Sequence, residues 1–443
     1  MDPNLLHDVV RAALAAGADA AEAVGAERGA LSVSVRLGEL EEVEREESRD
    51  LGLRVFIGQR QASASGSDLS AAARAQLVER VVAMARLAPE DPYGGLAPDD
   101  RLAHAPYADL DLYDPAEPSA KALEAAAHAA DAAATAVEGV TNTDGGSAAW
   151  GSSSWRLVTS GGFDGFHRAT GFSLSASAIA GEGAGMERGG EGRSVRHQSD
   201  LPTPESIGTE AGRRAVARLN PRKIDSRTAP VMFENRLAAS LLGPLMGAIS
   251  GASVARGVSF LKDKLGQPVF GGSITITDDP LRLRGLGSAP FDDEGVATER
   301  RALIDKGVLT TWLLNTSSAC QLGLATTGHA SRGLAGAPGT SSHNLTLEPG
   351  PNTQAELMSQ AGEGLLVTDM FGPSLNANTG DWSVGVAGWW FEKGQLAYPV
   401  TEITVAGNLI DIYGRLVPAS DLEIRGSSNA PSILIDGLAI AGR

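Results

Sequence analysis

The sequence predicts an α+β protein. An N-terminal α/β domain of antiparallel sheet and helices covers residues 1–220, a linker covers 221–230, and a C-terminal β-rich, barrel-like domain covers 231–443. Three observations carry this reading. A chain of 443 residues with 42% hydrophobic content has ample material for a large core and exceeds one ordinary domain. Before residue 220, alanine-rich amphipathic stretches are interleaved with segments of period two. After residue 230, short β-patterned runs recur between glycine-rich turns: SITITDD, GVLTTWLLN, NLTLEPG, GLLVTDM, WSVGVAGWWFEKGQLAYPVTEITVAG and SILIDGLAIAG. That spacing suits a barrel or a sandwich.

Residues 3–17 have helical periodicity. Within 31–65, LSVSVRL and GLRVFIGQRQASAS have period two, which gives a meander of three or four strands. Between them, ELEEVEREESRD holds seven acids and two arginines. It fits a helix or, equally, an exposed strand edge that charge keeps from pairing wrongly. Asp68, Leu69 and Ser70 cap a helix in AAARAQLVERVVAMARLA. A Pro/Asp-rich loop covers 89–118, and a second alanine-rich helix covers 119–137. Strands resume over 150–179. GEGAGMERGGEG, residues 181–192, reads as a loop by composition. Residues 203–220 form a helix whose arginines lie toward its C-terminal end, which suits the helix dipole. PRKIDSRTAP, residues 221–230, reads as the linker.

Residues 237–255 carry no charge, and Ala239, Gly243, Gly247, Gly251 and Ala255 recur every fourth position. A membrane span is disfavoured, because glycine, proline and serine dilute the hydropathy that insertion requires. The segment reads as one buried helix. Its small-residue stripe lets another backbone approach closely.

Formal net charge is −17, from 54 acidic and 37 basic side chains, which repels phosphate backbones and disfavours nucleic-acid binding. The one cysteine, Cys320, excludes an intrachain disulfide and a cysteine zinc cluster, and fits a cytoplasmic location. The N-terminus, without a cationic n-region, reads as a helix rather than a signal peptide.

The search for chemistry is mostly negative. No H-E-x-x-H, G-x-S-x-G or phosphate-loop pattern occurs. His329 and His343 share a neighbourhood and read as two hydrogen-bonding loop histidines, because no third ligand lies near them in sequence; a metal pair is the competing reading. Asp292, Asp293 and Glu294 read as a solvated turn, with a divalent-ion site as the alternative. Asn376, Asn378, Thr379 and Asp381 fit turn chemistry or a binding loop.

Several stretches together resemble one family. GELEEVEREESRDLGLRVFIGQRQASASGSDLS resembles the N-terminal part of the TldD/PmbA metallopeptidases. AASLLGPLMGAISGASVARGVSFLKDKLGQPVF, FDDEGVAT, NTSSACQLGLATTGHASRG, NLTLEPG, NANTGDWSVGVAGWWFEKGQLAYPVTEITVAGNL and DLEIRG…AIAG resemble its PmbA or TldE branch, historically labelled a modulator of DNA gyrase. In the TldD branch the corresponding helix carries H-E-x-x-x-H, whose histidines bind zinc together with a cysteine near the C-terminus. On that frame Gly243, Pro244 and Ala248 occupy the His-Glu-His positions, and a residue near Ala430 stands where the cysteine would come.

The resemblance therefore implies a non-catalytic TldE-type subunit that holds no cofactor of its own. Zinc is expected in a TldD-like partner, with which the chain forms a heterodimer. The implied substrates are unfolded peptides and leader segments, and Gly328, His329 and Arg332 within TTGHASRG are candidates for lining a peptide groove. Self-association is the alternative when the partner is absent; nucleic acid and membrane are not expected. Two other readings compete with the subunit. One is an autonomous hydrolase built on Asp292 or on His329 and His343. The other is a regulatory protein acting on a toxin–antitoxin or topoisomerase system.

Overall fold

The structure, a computed structural model, describes residues 2–443. The N-terminal part contains α1 (Pro3–Ala15), β1 (Ala20–Arg36), β2 (Glu39–Ile57), β3 (Arg60–Gly66), α2 (Ala71–Leu87), α3 (Ala120–Thr135), β4 (Val140–Thr159), β5 (Asp164–Ala180), β6 (Glu187–Val195) and α4 (Pro204–Ala217). Each of these helices starts at a capping side chain: Asp2, Ser70, Ser119 and Thr203 accept hydrogen bonds from first-turn N–H groups. The six strands form one antiparallel sheet, ordered β3–β2–β1–β4–β5–β6.

Strand alternation divides this sheet into two different faces. Ala21 and Ala23 of β1, with Leu51, Leu53 and Val55 of β2, pack under α1 and α2. Leu31, Val33 and Val35 of the same β1 face continue under α3 and α4. Glu22, Val24, Gly52 and Arg54 point to the opposite face, toward the second half of the chain.

The acidic stretch 39–50 is strand, not helix. Here β2 pairs with β1 on one side only, since β3 begins opposite Ile57 and ends opposite Leu51. Its acids lie exposed along a free edge, where charge discourages pairing with another chain. The glycine-rich run 181–192 is also not all loop, because its second half opens β6. Glycine is a packing requirement there: a Cβ on Gly189 would meet the Ala215 nitrogen of α4 at 2.2 Å.

The C-terminal part contains β7 (Arg227–Phe233), α5 (Asn235–Ala238), α6 (Leu242–Ala248), α7 (Gly251–Ala255), β8 (Ile276–Asp278), β9 (Arg301–Asp305), β10 (Val308–Leu309), α8 (Thr316–Leu322), β11 (Ala330–Ser331), β12 (Gly339–Thr340) and β13 (Leu345–Leu347). It continues with α9 (Gln354–Ala361), β14 (Glu363–Leu375), β15 (Asp381–Glu392), β16 (Gln395–Asn408), α10 (Leu409–Arg415), β17 (Val417–Pro418), β18 (Ser428–Asn429) and β19 (Ile433–Ala441). The expected barrel is present: β7, β14, β15, β16 and β19 close on themselves, because β16 pairs with β15 on one side and β19 on the other. Val231, Phe233, Leu365, Val367, Val384, Val386, Val405 and Ile435 share its core with Leu241, Leu245 and Tyr413. A second sheet, β10–β9–β8–β13–β18, contributes to the same core. The linker is shorter than its composition suggests. Residues 227–230 already belong to β7, with Arg227, Thr228 and Ala229 paired to β19, so only 221–226 connect the two parts. No helix among the described residues is long and apolar enough to cross a membrane.

The uncharged segment 237–255 is not one helix. It runs as α5, a 3-10 turn (Ala239–Leu241), α6 and α7, broken at Ile249 and Ser250. Ser250 is extended and bridges to Leu313, while Gly251 N–H donates to Leu313 C=O and Leu313 N–H to Ile249 C=O. These long-range bonds replace the helical ones. The break divides the small-residue stripe. A Cβ on Gly251 would meet Ser318 Oγ of α8 at 2.4 Å, whereas Gly243 and Gly247 face open space, and Ala239 and Ala255 are half-buried. The close-packed small-residue stripe of this protein lies on α4 instead. There a Cβ on Gly208 would meet the Ala130 carbonyl of α3 at 2.0 Å, and one on Gly212 would meet Ala134 and Val137.

Gly208→Ala should therefore destabilise the chain by about 1–3 kcal/mol, because α3 and α4 must separate. Gly243→Ala should be neutral or stabilising by up to about 1 kcal/mol, since it fills solvent and restricts the unfolded chain. Urea unfolding of the two variants beside the wild type checks both signs.

Candidate functional site

The chemistry-bearing side chains converge where loops of the C-terminal part meet the open face of the N-terminal sheet. The acidic run Asp292–Asp293–Glu294 is buried rather than solvated, with Asp292 and Glu294 each 3% exposed. A tight turn makes this so, with Gly295 at φ +84° pressed on Phe163. Asp292 Oδ1 accepts from the N–H groups of Glu294 and Val296 at 2.9 Å each, and its Oδ2 accepts from Ala330 N–H at 2.9 Å. Asp293 Oδ2 accepts from Arg332 N–H at 2.8 Å. Glu294 Oε2 accepts from the backbone N–H and the hydroxyl of Thr316, at 2.8 and 2.6 Å, which ties the turn to the first residue of α8. Burial pushes all three carboxyls above their ordinary range; the charge of Glu294 adds to the effect at Asp292, and the backbone N–H donors oppose it.

Arg332 crosses to the N-terminal sheet. Its guanidinium pairs with Glu22, which also pairs with Arg54 at 3.2 Å, and Arg54 donates to Gln61 at 2.8 and 2.6 Å. All three charged groups of this trio are essentially excluded from water. Gly52 permits the approach: a Cβ there would meet the Leu334 carbonyl at 2.1 Å.

Beside this seam, Asp278, at the end of β8, gathers His329 and His343. Asp278 Oδ2 lies 3.1 Å from His329 Nε2 and 2.9 Å from His343 Nδ1, and Oδ1 accepts from His343 N–H at 2.9 Å. Thr327 Oγ1 holds the other nitrogen of His329, Nδ1, at 2.8 Å. Burial alone would raise the Asp278 carboxyl, but the two imidazole hydrogen bonds outweigh it and hold it below the usual range. Burial also pushes the His329 imidazole down, against the pull of Asp278. The third group missing from the sequence reading is thus supplied from 51 and 65 residues upstream of the two histidines. Its signal is β register: pairing of β8 with β13 sets Asp278 opposite Leu345, two positions from His343.

Gly328, His329 and Arg332 line no open groove. All three are buried, and the strand they flank is occupied on both sides: Asp293 N–H and Ser341 N–H donate to the carbonyls of Ala330 and His329, while Asp292 and Asp293 take the N–H groups of Ala330 and Arg332. No free main-chain edge remains there for a peptide. The side chains of Gly243, Pro244 and Ala248 offer no lone-pair donor, and Ala248 lies in the same apolar core as Ala430, so these side chains do not fit a metal. Asn376, Asn378, Thr379 and Asp381 form an exposed turn closed by hydrogen bonds among themselves and with Asn408.

The raised carboxyls carry a pH signature. The folded chain keeps protons that the unfolded chain releases, so their stabilisation is full below the ordinary carboxylate range and is lost as pH rises through the raised values. Glu294→Gln keeps the acceptor for Thr316 and removes one titration. Urea unfolding across a pH series should show a shallower fall of stability with rising pH in this variant, by up to about 1.4 kcal/mol per unit.

Three family models match the chain in order: PmbA/TldA metallopeptidase domain 1 over residues 21–85, the central domain over 111–219, and the C-terminal domain over 226–442. The first two fall within the single N-terminal sheet. The chain is 41% identical to the protein named Metalloprotease PmbA of Escherichia coli O157:H7, over 99% of this chain and 97% of that one. It superposes on a proposed modulator of DNA gyrase from Bacteroides thetaiotaomicron with a TM-score of 0.92 and 28% identity, covering 99% of this chain and 98% of the other. TldE from Thermococcus kodakarensis shares the fold at a TM-score of 0.86 and 20% identity, over 99% of this chain and all of that one. With the barrel, the three matched domains and a full-length relative in agreement, this chain belongs to the PmbA/TldD metallopeptidase family.

Proposed function

We propose that this chain is the non-catalytic, TldE-type subunit of a two-component cytoplasmic zinc metallopeptidase. Its TldD-like partner supplies the zinc and the general base, and the assembly cleaves unfolded peptides or leader segments. The observation that carries this is chemical. At the positions where the resemblance implies His, Glu and His, the chain has Gly243, Pro244 and Ala248, none of which can ligate a metal or move a proton. The outward faces of Gly243 and Gly247 support a contact with a second subunit, since side-chain-free backbone at a surface lets a neighbour approach closely.

The test measures cleavage of a labelled unfolded peptide by this chain alone, by a TldD-like partner alone, and by the mixture. Cleavage by the mixture only is the expected result. Gly247→Arg, which projects into open space, should leave the chain's unfolding midpoint unchanged and lower the mixture's rate at least about tenfold, a loss of ~1.4 kcal/mol of coupling. Full cleavage by this chain alone would overturn the proposal and favour an autonomous hydrolase.

A further inference from the structure

We propose that Asp278, His329 and His343 form a binding site for one divalent transition-metal ion of the zinc class, held by this chain without a partner. Three ligand atoms of the right kinds converge: Asp278 Oδ2, His329 Nε2 and His343 Nδ1 lie within 4.8 Å of one another. Two imidazoles and one carboxylate suit zinc and its neighbours in the first transition row better than calcium or magnesium, which favour all-oxygen sites.

The atoms that would not bind the ion are already engaged. Asp278 Oδ1 is held by His343 N–H, which leaves Oδ2 facing the imidazoles. Thr327 Oγ1, 2.8 Å from His329 Nδ1, can accept from Nδ1–H once an ion takes the place of the Nε2 proton that faces Asp278 Oδ2 in the ion-free cluster. Thr327 Oγ1 also accepts from Leu314 N–H at 2.8 Å and lies 3.3 Å from Leu314 C=O, so it can accept a hydrogen bond from the imidazole N–H while donating its own hydrogen to that carbonyl. Such outer partners orient metal ligands and set imidazole tautomers.

Two of the three ligand separations, those from Asp278, are near what an ion requires, and the two imidazole nitrogens lie within 4.8 Å of each other. Ligands about 2.0–2.2 Å from a tetrahedral ion stand roughly 3.3–3.6 Å apart. The observed 2.9 and 3.1 Å separations from Asp278 would open by a few tenths of an ångström on loading. His329 and Asp278 are closed off from solvent, while His343 keeps 11% of its side chain exposed, which gives a rim for entry and for a water as fourth ligand. The ligands come from β8, from the approach to β11 and from the approach to β13, so an ion here would tie three separate segments together.

This inference is independent of the subunit reading, because it concerns an ion on the isolated chain and no cleavage step. The test uses the tag-free full-length chain, stripped with a chelator and titrated with Co²⁺ as a visible probe, then with competing Zn²⁺. One equivalent of Co²⁺ should bind with visible d–d absorption, and Zn²⁺ should displace it one for one. His343→Ala, at the most exposed ligand, should weaken binding at least about 100-fold. X-ray absorption of the Zn²⁺-loaded wild type should show two imidazoles, which tests the ligand set even where a variant fails to fold. Absence of stoichiometric binding, or equal binding by folded His343→Ala, would overturn the proposal and leave a purely hydrogen-bonded Asp–His–His cluster.

Discussion

The buried trio Glu22–Arg332–Arg54 is the constraint on which the rest of the structure depends. Charges taken out of water are costly unless they are paired, and here one carboxylate, Glu22, is shared by two guanidiniums. Arg332 lies on a loop of the C-terminal part, and Glu22 and Arg54 lie on paired strands of the N-terminal sheet. Their pairing holds the two halves against each other. The rest of the seam serves that placement: Asp293 holds the backbone of Arg332, Asp292 holds Ala330, Glu294 anchors α8, and Gly52 removes the side chain that would keep Leu334 away.

Much of the fold is legible in the sequence because its signals are local. Side chains at Ser70, Ser119 and Thr203 announce helices whose apolar stripes then supply the core. Alternation in LSVSVRL announces β1. The misreadings share one cause, which is that a residue's role was set by something distant. Gly189 and its neighbours look like loop because glycine weakens strands, yet α4 crosses there and only glycine fits. The repeat Ala239–Gly243–Gly247–Gly251–Ala255 has helical period, but Leu313 captures the backbone at Ser250 and ends the helix. The same spacing recurs at Gly208 and Gly212, and there two helix backbones do touch.

The candidate site shows the same limit more sharply. Asp292, Asp293 and Glu294 have the composition of a solvated turn, and nothing nearby in sequence says that Phe163, Ala330 and Thr316 will enclose them. His329 and His343 were visible as a pair. Their carboxylate partner was not, because finding Asp278 requires the register of two three-residue strands. The opposite holds for Gly243, Pro244 and Ala248, where the sequence is sufficient: the lack of a donor atom is a property of the residue type and needs no coordinates.

The seam also has a mechanical meaning. The covalent connection at 221–226 is short, and beside it Arg332 is locked to Glu22. Swinging one half away from the other would break this pair and uncover the apolar contact of Phe291 and Leu334 with Val24, Leu157 and Phe163. The seam therefore opposes opening and shutting about the 221–226 connection. Force applied to the barrel is transmitted through Arg332 to β1, an interior strand of the N-terminal sheet, so the two halves move as one lever.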